Sequence, residues 1–214
     1  MSTAQATPIG TPAADPAPVE VPDGPGGSPY LFTTEDFDRM IEAEVFPIEA
    51  RVELWDGRIY EKMAKLQPHV VSGNKLNLAL FLALPPGWFP GGENSITLGQ
   101  DKVPLPDMVV FRGRPDDYNE RRAGVADIGL VVELAWSSLK SDLGTRLAAY
   151  AEAGIPAYWV VNLVDGSIHV HATPVPAERR YASVVIHKPG ESIPLILDGV
   201  EVARIAASEI LPAR

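Results

Sequence analysis

Hydrophobic and polar positions follow two periodicities from Tyr30 onward. Apolar spacing and end-capping residues predict helices over residues 34–44, 68–84 and 142–153. Short apolar or β-branched runs bounded by Gly, Pro or Asp predict strands, at 51–55, 58–61, 95–98, 107–111, 127–135, 157–161, 167–171, 184–187, 193–197 and 200–204. Because the two kinds of element interleave, we expect an α/β or α+β fold with a mixed central sheet and a β-rich C-terminal part.

Residues 1–29 have a different composition from the rest of the chain. They contain seven prolines and four glycines and show no apolar periodicity. Such a segment buries too little surface to offset its chain entropy. We therefore expect a disordered tail over 1–29 and one folded domain over 30–214, which the length of 214 residues allows.

Composition restricts the chemistry and the partners. The chain has no cysteine, so any metal site must use oxygen or imidazole ligands, and the cytoplasm is the simplest compartment. No apolar run is long enough for a membrane span, so no membrane partner is expected. The net charge of −10 argues against loose binding to nucleic acid. A nucleic-acid enzyme would need a local basic groove or a bound metal.

Glu133 is the residue most indicative of function. Its strand reads Gly-Leu-Val-Val-Glu-Leu-Ala, with apolar residues on both faces, which is typical of a central strand. An ionised carboxylate there is costly unless a cation or a metal meets it. The alternative is a structural pair with an arginine.

Asp107 opens a neighbouring apolar strand, Met-Val-Val-Phe, after Pro106. Pro-Asp alone is common at a turn. Beside Glu133 on an adjacent strand, however, it becomes a candidate ligand for Mg²⁺, which uses few carboxylates together with waters and phosphate oxygens. The sequence contains no phosphate loop, dinucleotide fingerprint or serine nucleophile elbow.

Three further residues are site candidates. Arg146 falls on the apolar stripe of its helix, so it can lean toward the two acids or form a structural pair with Asp142 at i−4. Glu53, in the first hairpin, has the pattern of a solvated strand residue. His69 lies on the packing face of its helix, where a core histidine is the commoner outcome. We keep Glu53 and His69 as candidate accessory residues.

A family resemblance adds to these observations. The segments Pro106-Asp107, Glu133-Leu-Ala-Trp-Ser-Ser-Leu, Asp142-Leu-Gly-Thr-Arg146 and Tyr150-Ala-Glu-Ala-Gly-Ile-Pro-Ala-Tyr-Trp159 resemble the Uma2 family of the PD-(D/E)xK, restriction-endonuclease-like superfamily. The resemblance covers residues 30 to 172. It implies a mixed sheet flanked by helices and endonuclease activity on DNA that depends on Mg²⁺ (or Mn²⁺). Asp107 and Glu133 take the family's acid positions, and Arg146 stands where the family has lysine.

That arginine leaves two functions open. A lysine can lose its proton when desolvated, whereas an arginine stays charged and can only stabilise phosphate charge. Lys140, in the preceding loop, is a candidate substitute. The first hypothesis is a metal-dependent nuclease with Asp107, Glu133 and Arg146 as catalytic residues. The second is a catalytically weak or inactive nuclease-fold module that binds nucleic acid or protein. A homodimer is left open.

Overall fold

A computed structural model describes residues 28–213. Residues 1–27 of the tail predicted for 1–29 therefore lie outside the described residues. The helices are α1 (Thr34–Glu42), α2 (Gln67–Ala83), α3 (Leu139–Ser141), a π-helical turn (Asp142–Arg146) and α4 (Leu147–Ala153). The strands are β1 (Val52–Trp55), β2 (Arg58–Glu61), β3 (Trp88–Gly92), β4 (Ile96–Thr97), β5 (Met108–Arg112), β6 (Ala123–Gly124), β7 (Ile128–Ala135), β8 (Ala157–Asn162), β9 (Ser167–Val175), β10 (Arg180–His187), β11 (Ser192–Leu197) and β12 (Val200–Ala206).

In the described part of the chain, the central sheet has six strands in the order β10-β9-β8-β7-β5-β3. Strands β7 and β8 are parallel, and every other neighbouring pair is antiparallel. All eight residues of β7 are buried, as expected for a strand that is covered on both faces. The predicted mixed central sheet is confirmed.

Helices cover both faces of this sheet. On one face, Leu76 and Leu80 of α2 pack with the β11-β12 hairpin against Val132 and Leu134 of β7. On the other face, Tyr150 and Ala151 of α4 pack against Val131 of β7. The predicted third helix begins at Leu139 rather than at Asp142 and passes through the π-helical turn.

The β1-β2 hairpin lies outside the central sheet. Its turn has positive φ at Asp56 (49°) and Gly57 (71°), as the Asp-Gly sequence predicts. A Cβ at Gly57 would lie 2.6 Å from the Cβ of Leu31, so a side chain there would also clash. A bridge between Leu54 and Val103 joins the hairpin to the segment that leads into β5. This contact places the hairpin beside the segment that precedes β5.

The sequence prediction misses strands β3 and β6 and underestimates the lengths of β9 and β10. Strand β3 contains Pro90, Gly91 and Gly92, which favour a loop in local sequence. Because β3 is the edge strand beside β5, Pro90 costs no central hydrogen bond of the sheet. Among the described residues, none of the helices has the length and apolar content to cross a membrane.

Candidate active site

A cavity of about 620 Å³ lies between the β1-β2 hairpin, the start of α2 and the ends of β5 and β7. Its lining includes all five sequence candidates, which are Glu53, His69, Asp107, Glu133 and Arg146. Asp107 directly precedes β5, and the pairing of Met108 with Val132 places it near Glu133 at one end of two adjacent strands. Residues distant in sequence are therefore brought to one site.

Lys62, which the sequence analysis did not single out, joins the two strand acids. Its ammonium lies 3.0 Å from Oδ1 of Asp107 and 3.3 Å from Oε2 of Glu133. It also donates to the carbonyl oxygen of Leu105, at 2.7 Å. The two carboxylate oxygens cannot be further apart than the sum of their distances to the ammonium, so one cation can contact both. Burial alone would lower the pKa of Lys62, but the charges of Glu133 and Asp107 outweigh it and raise that pKa.

Asp107 is surrounded by donors. Its Oδ2 accepts hydrogen bonds from His69 Nε2 at 3.0 Å and from the backbone N–H of Leu134 at 2.9 Å. Lys65 Nζ lies 3.7 Å from Oδ1. Burial would raise the pKa of Asp107, but the His69 hydrogen bond and the Lys62 charge hold it well below its usual range. Because an ionised carboxylate only accepts, His69 must carry its proton on Nε2.

Glu133 is deeply buried, with 2% of its side chain exposed. Its Oε1 accepts hydrogen bonds from the hydroxyl of Tyr150 at 3.0 Å and from Nη1 of Arg146 at 3.2 Å. Burial raises the pKa of Glu133, against the opposing charges of Lys62 and Arg146. Every side-chain oxygen of Glu133 thus has a hydrogen-bond donor supplied by another element.

Arg146 pairs with Glu53 as well as with Glu133. Its Nη1 and Nη2 donate to Oε1 and Oε2 of Glu53 at 3.1 and 2.5 Å, and its guanidinium lies 4.9 Å from the ring centre of Trp55. Glu53 Oε1 also accepts from the N–H of Leu105, at 2.7 Å. The prediction that Glu53 is solvated is wrong, because docking of the hairpin buries its carboxylate. Burial would raise the pKa of Glu53, but the Arg146 charge lowers it.

Asp142 completes the acidic group. Its Oδ2 accepts a 2.6 Å hydrogen bond from the hydroxyl of Ser138, and its Oδ1 lies 3.5 Å from Nε of Arg146. The predicted i−4 pair is therefore present, but it is one of three acid contacts of Arg146. Burial raises the pKa of Asp142 to about 7, and the nearby charge of Glu133 adds to the increase.

Local sequence gives little signal for Lys62 and Lys65. Both lie in the irregular stretch 62–66 between β2 and α2, where lysine is ordinarily a solvated loop residue. Lys140, proposed as a substitute for the family lysine, is not among the residues that line the cavity. His169 and His171 stack together on β9, away from this cavity.

The carboxylate oxygens in the cavity have the chemistry that a hard divalent cation requires. Asp107 and Glu133 offer carboxylate oxygens that converge on one shared cation, which here is the ammonium of Lys62. Among residues 28–213, no group of three or more His, Cys, Asp or Glu side chains is arranged to hold a metal ion. Two carboxylates nevertheless suit Mg²⁺ or Mn²⁺, since waters and phosphate oxygens complete such sites.

Comparison with known proteins identifies the family. The crystal structure of a "putative nuclease belonging to DUF820" from Anabaena variabilis superposes with a TM-score of 0.65 at 14% sequence identity, covering 84% of this chain and 97% of that one. The likeness confirms the predicted fold class. No curated protein matches the sequence. The family model Uma2, described as "Putative restriction endonuclease", matches residues 34–206. Since that match spans most of the sequence, the chain belongs to the Uma2 family.

Proposed function

We propose that this protein is a metal-dependent endonuclease that hydrolyses phosphodiester bonds in DNA. The observation that supports it best is the placement of two buried carboxylates, Asp107 and Glu133, at one cavity where a single cation contacts both. Asp107 and Glu133 would hold Mg²⁺ or Mn²⁺. When bound, such a metal lowers the pKa of water and neutralises charge on a phosphate.

The protein's own side chains have separate roles in this proposal. His69 and the backbone N–H of Leu134 orient Asp107 and keep it ionised. Tyr150 and Arg146 orient Glu133, and the Arg146 charge opposes the burial that raises the pKa of this carboxyl. Arg146 remains protonated at any working pH, so it would stabilise phosphate charge without removing a proton from water.

The charge of the cavity supports a requirement for metal. Among the described residues that line it, five are Lys or Arg and six are Asp or Glu. The cavity is therefore not the local basic groove that would offset the net charge of −10. A divalent cation would supply the positive charge that a DNA phosphate needs there.

The second candidate function is a catalytically silent module that binds nucleic acid or protein. The observation that favours it is the internal neutralisation of the acids, since Lys62 and Arg146 already pair with Asp107, Glu133 and Glu53. A fold shared with nucleases does not by itself establish cleavage.

A plasmid-nicking assay separates the two functions. Wild type should nick supercoiled DNA in the presence of Mg²⁺ or Mn²⁺, and EDTA should abolish the activity. Glu133→Gln keeps the shape of the side chain, and we expect it to reduce nicking by about a hundredfold or more. The control is Glu178→Gln, an exposed acid paired with Arg180, which should leave the rate unchanged. Absence of metal-dependent nicking by wild type, with DNA binding retained, would support the silent module instead.

A further inference from the structure

We propose that the Lys62 ammonium is a displaceable internal counter-ion that competes with a divalent cation for Asp107 and Glu133. The inference rests on the proposed function insofar as these two acids are the metal ligands. The new element is that Lys62 lowers the affinity for the metal, because its ammonium must leave the two acids before the metal can bind.

The surroundings of the Lys62 ammonium resemble those of a bound cation. In the described part of the chain, its three hydrogen-bond acceptors are all oxygens, from Asp107, Glu133 and the carbonyl of Leu105, at 3.0, 3.3 and 2.7 Å. An ammonium has three donors, so its hydrogen-bonding capacity is fully used. Carboxylate and carbonyl oxygens are also the ligands that hard divalent cations prefer. The same oxygens can therefore serve either cation, one at a time.

Of the two cations that contact Glu133, Lys62 is the one that can leave. It lies in the irregular stretch 62–66, and its side chain reaches the cavity on a flexible four-carbon stem. Arg146 is held within a helical segment by two hydrogen bonds to Glu53 and a contact with Trp55. Within residues 28–213, the Lys62 ammonium has no hydrogen-bond acceptor besides the three oxygens that a metal would take.

Competition follows from the distances. An ammonium about 3 Å from both carboxylates occupies the position that offers a metal both acids, and two cations so close would repel strongly. Binding of a divalent cation must therefore break both Lys62 ion pairs. The displaced ammonium would remain at the cavity, where a DNA phosphate is a suitable partner. Metal binding to the free protein should be weak for this reason.

The test measures Mn²⁺ binding directly, from the loss of the electron paramagnetic resonance signal of free Mn²⁺, without DNA and without turnover. Lys62→Met and Lys62→Gln should bind Mn²⁺ about tenfold or more tightly than wild type. Lys62→Arg keeps the charge and should bind as weakly as wild type. The matched control is Lys102→Met, since Lys102 is equally buried and its ammonium lies 2.7 Å from Asp56. That variant changes the net charge identically and should leave Mn²⁺ affinity unchanged.

Thermal melts provide a second readout. Without metal, Lys62→Met should melt below wild type, because two buried carboxylates lose a counter-ion, and Mn²⁺ should restore more of the melting temperature in the variant than in wild type. Adding Glu133→Gln to Lys62→Met should abolish the gain in Mn²⁺ affinity. If wild type and Lys62→Met bind Mn²⁺ equally, and Glu133→Gln weakens both, the counter-ion inference is overturned and the metal-dependent function stands. Absence of Mn²⁺ binding in both proteins would overturn the two proposals together.

Discussion

Replacing Arg146 by Met is expected to destabilise the fold strongly. The substitution keeps an unbranched apolar stem but removes the guanidinium that pairs with Glu53 and Glu133. All three side chains are largely buried, with 13%, 3% and 2% exposed. Glu53 and Glu133 would therefore lose a counter-ion in a place that water reaches poorly.

Two estimates agree on the magnitude. Removing one member of a buried ion pair costs about 3–5 kcal/mol. Alternatively, one glutamate takes up a proton, and at pH 7 this costs about 3 kcal/mol for a carboxyl whose ordinary pKa is 4.5. For a protein of this length, 1 kcal/mol lowers the melting temperature by roughly 2–4 °C. We expect a decrease of about 10 °C.

Differential scanning calorimetry at pH 7 measures this effect, with Arg204→Met as the control. Arg204 pairs with Glu201 through two hydrogen bonds of 2.8 and 3.2 Å, but both side chains are exposed. A surface pair contributes about 0–1 kcal/mol, so this control should lose only a few degrees. Adding Glu53→Gln to Arg146→Met should recover part of the loss, because it removes one of the unpaired charges. Equal losses for Arg146→Met and Arg204→Met would refute the reasoning.

Two further predictions concern the same helix. Arg146→Lys should increase metal-dependent plasmid nicking, because an ammonium can exchange a proton while contacting phosphate, and an unchanged rate would argue against a catalytic role at this position. Asp142→Asn should change how stability depends on pH. The pKa of Asp142 in the folded protein is about 7, above its ordinary value of 3.8. Between about pH 4 and 7, the folded protein therefore holds a proton that the unfolded protein has released. Because of this difference, the stability falls as the pH rises through that range. This decline in the free energy of unfolding amounts to at most about 4 kcal/mol, and the variant should lack it. Urea denaturation at a series of pH values measures the difference. Parallel curves for variant and wild type would contradict it.

Glu133 could be identified as a candidate from the sequence because its signal is local. Glu133 interrupts an apolar run, and the cost of burying a carboxylate can be judged from that run alone. The helical wheel put Arg146 on the apolar stripe of its helix and left two partners open, and the structure shows contacts with both Glu133 and Asp142. Asp107 became a candidate only on the assumption that its strand lies beside the strand of Glu133. The sheet order agrees with that assumption, because β5 lies directly beside β7.

Glu53 and Lys62 could not be predicted in the same way. Glu53 lies in a four-residue strand where alternation indicates exposure, and its burial depends on Arg146 and Leu105, which are distant in sequence. Lys62 lies in an irregular stretch, so no periodicity gives its direction. Both positions depend on how the β1-β2 hairpin docks, which is a tertiary contact centred on Leu54 and Val103.

The π-helical turn at Asp142–Arg146 determines how this part of the site responds to a change in chain length. A π turn closes a hydrogen bond one residue further along than an α turn, so it accommodates one extra residue. Helix α4 is fixed by Tyr150 against the sheet. Deleting Gly144, where a Cβ would meet nothing within 4 Å, would remove that extra residue and let the turn become α-helical without rotating the helical residues on either side. Asp142 and Arg146 would then be three residues apart instead of four, a spacing that keeps them on one face of an α-helix. A Cβ at Gly144 meets no other atom, whereas inserting a further residue would exceed the one extra residue that the turn accommodates and would shift Asp142 relative to Arg146.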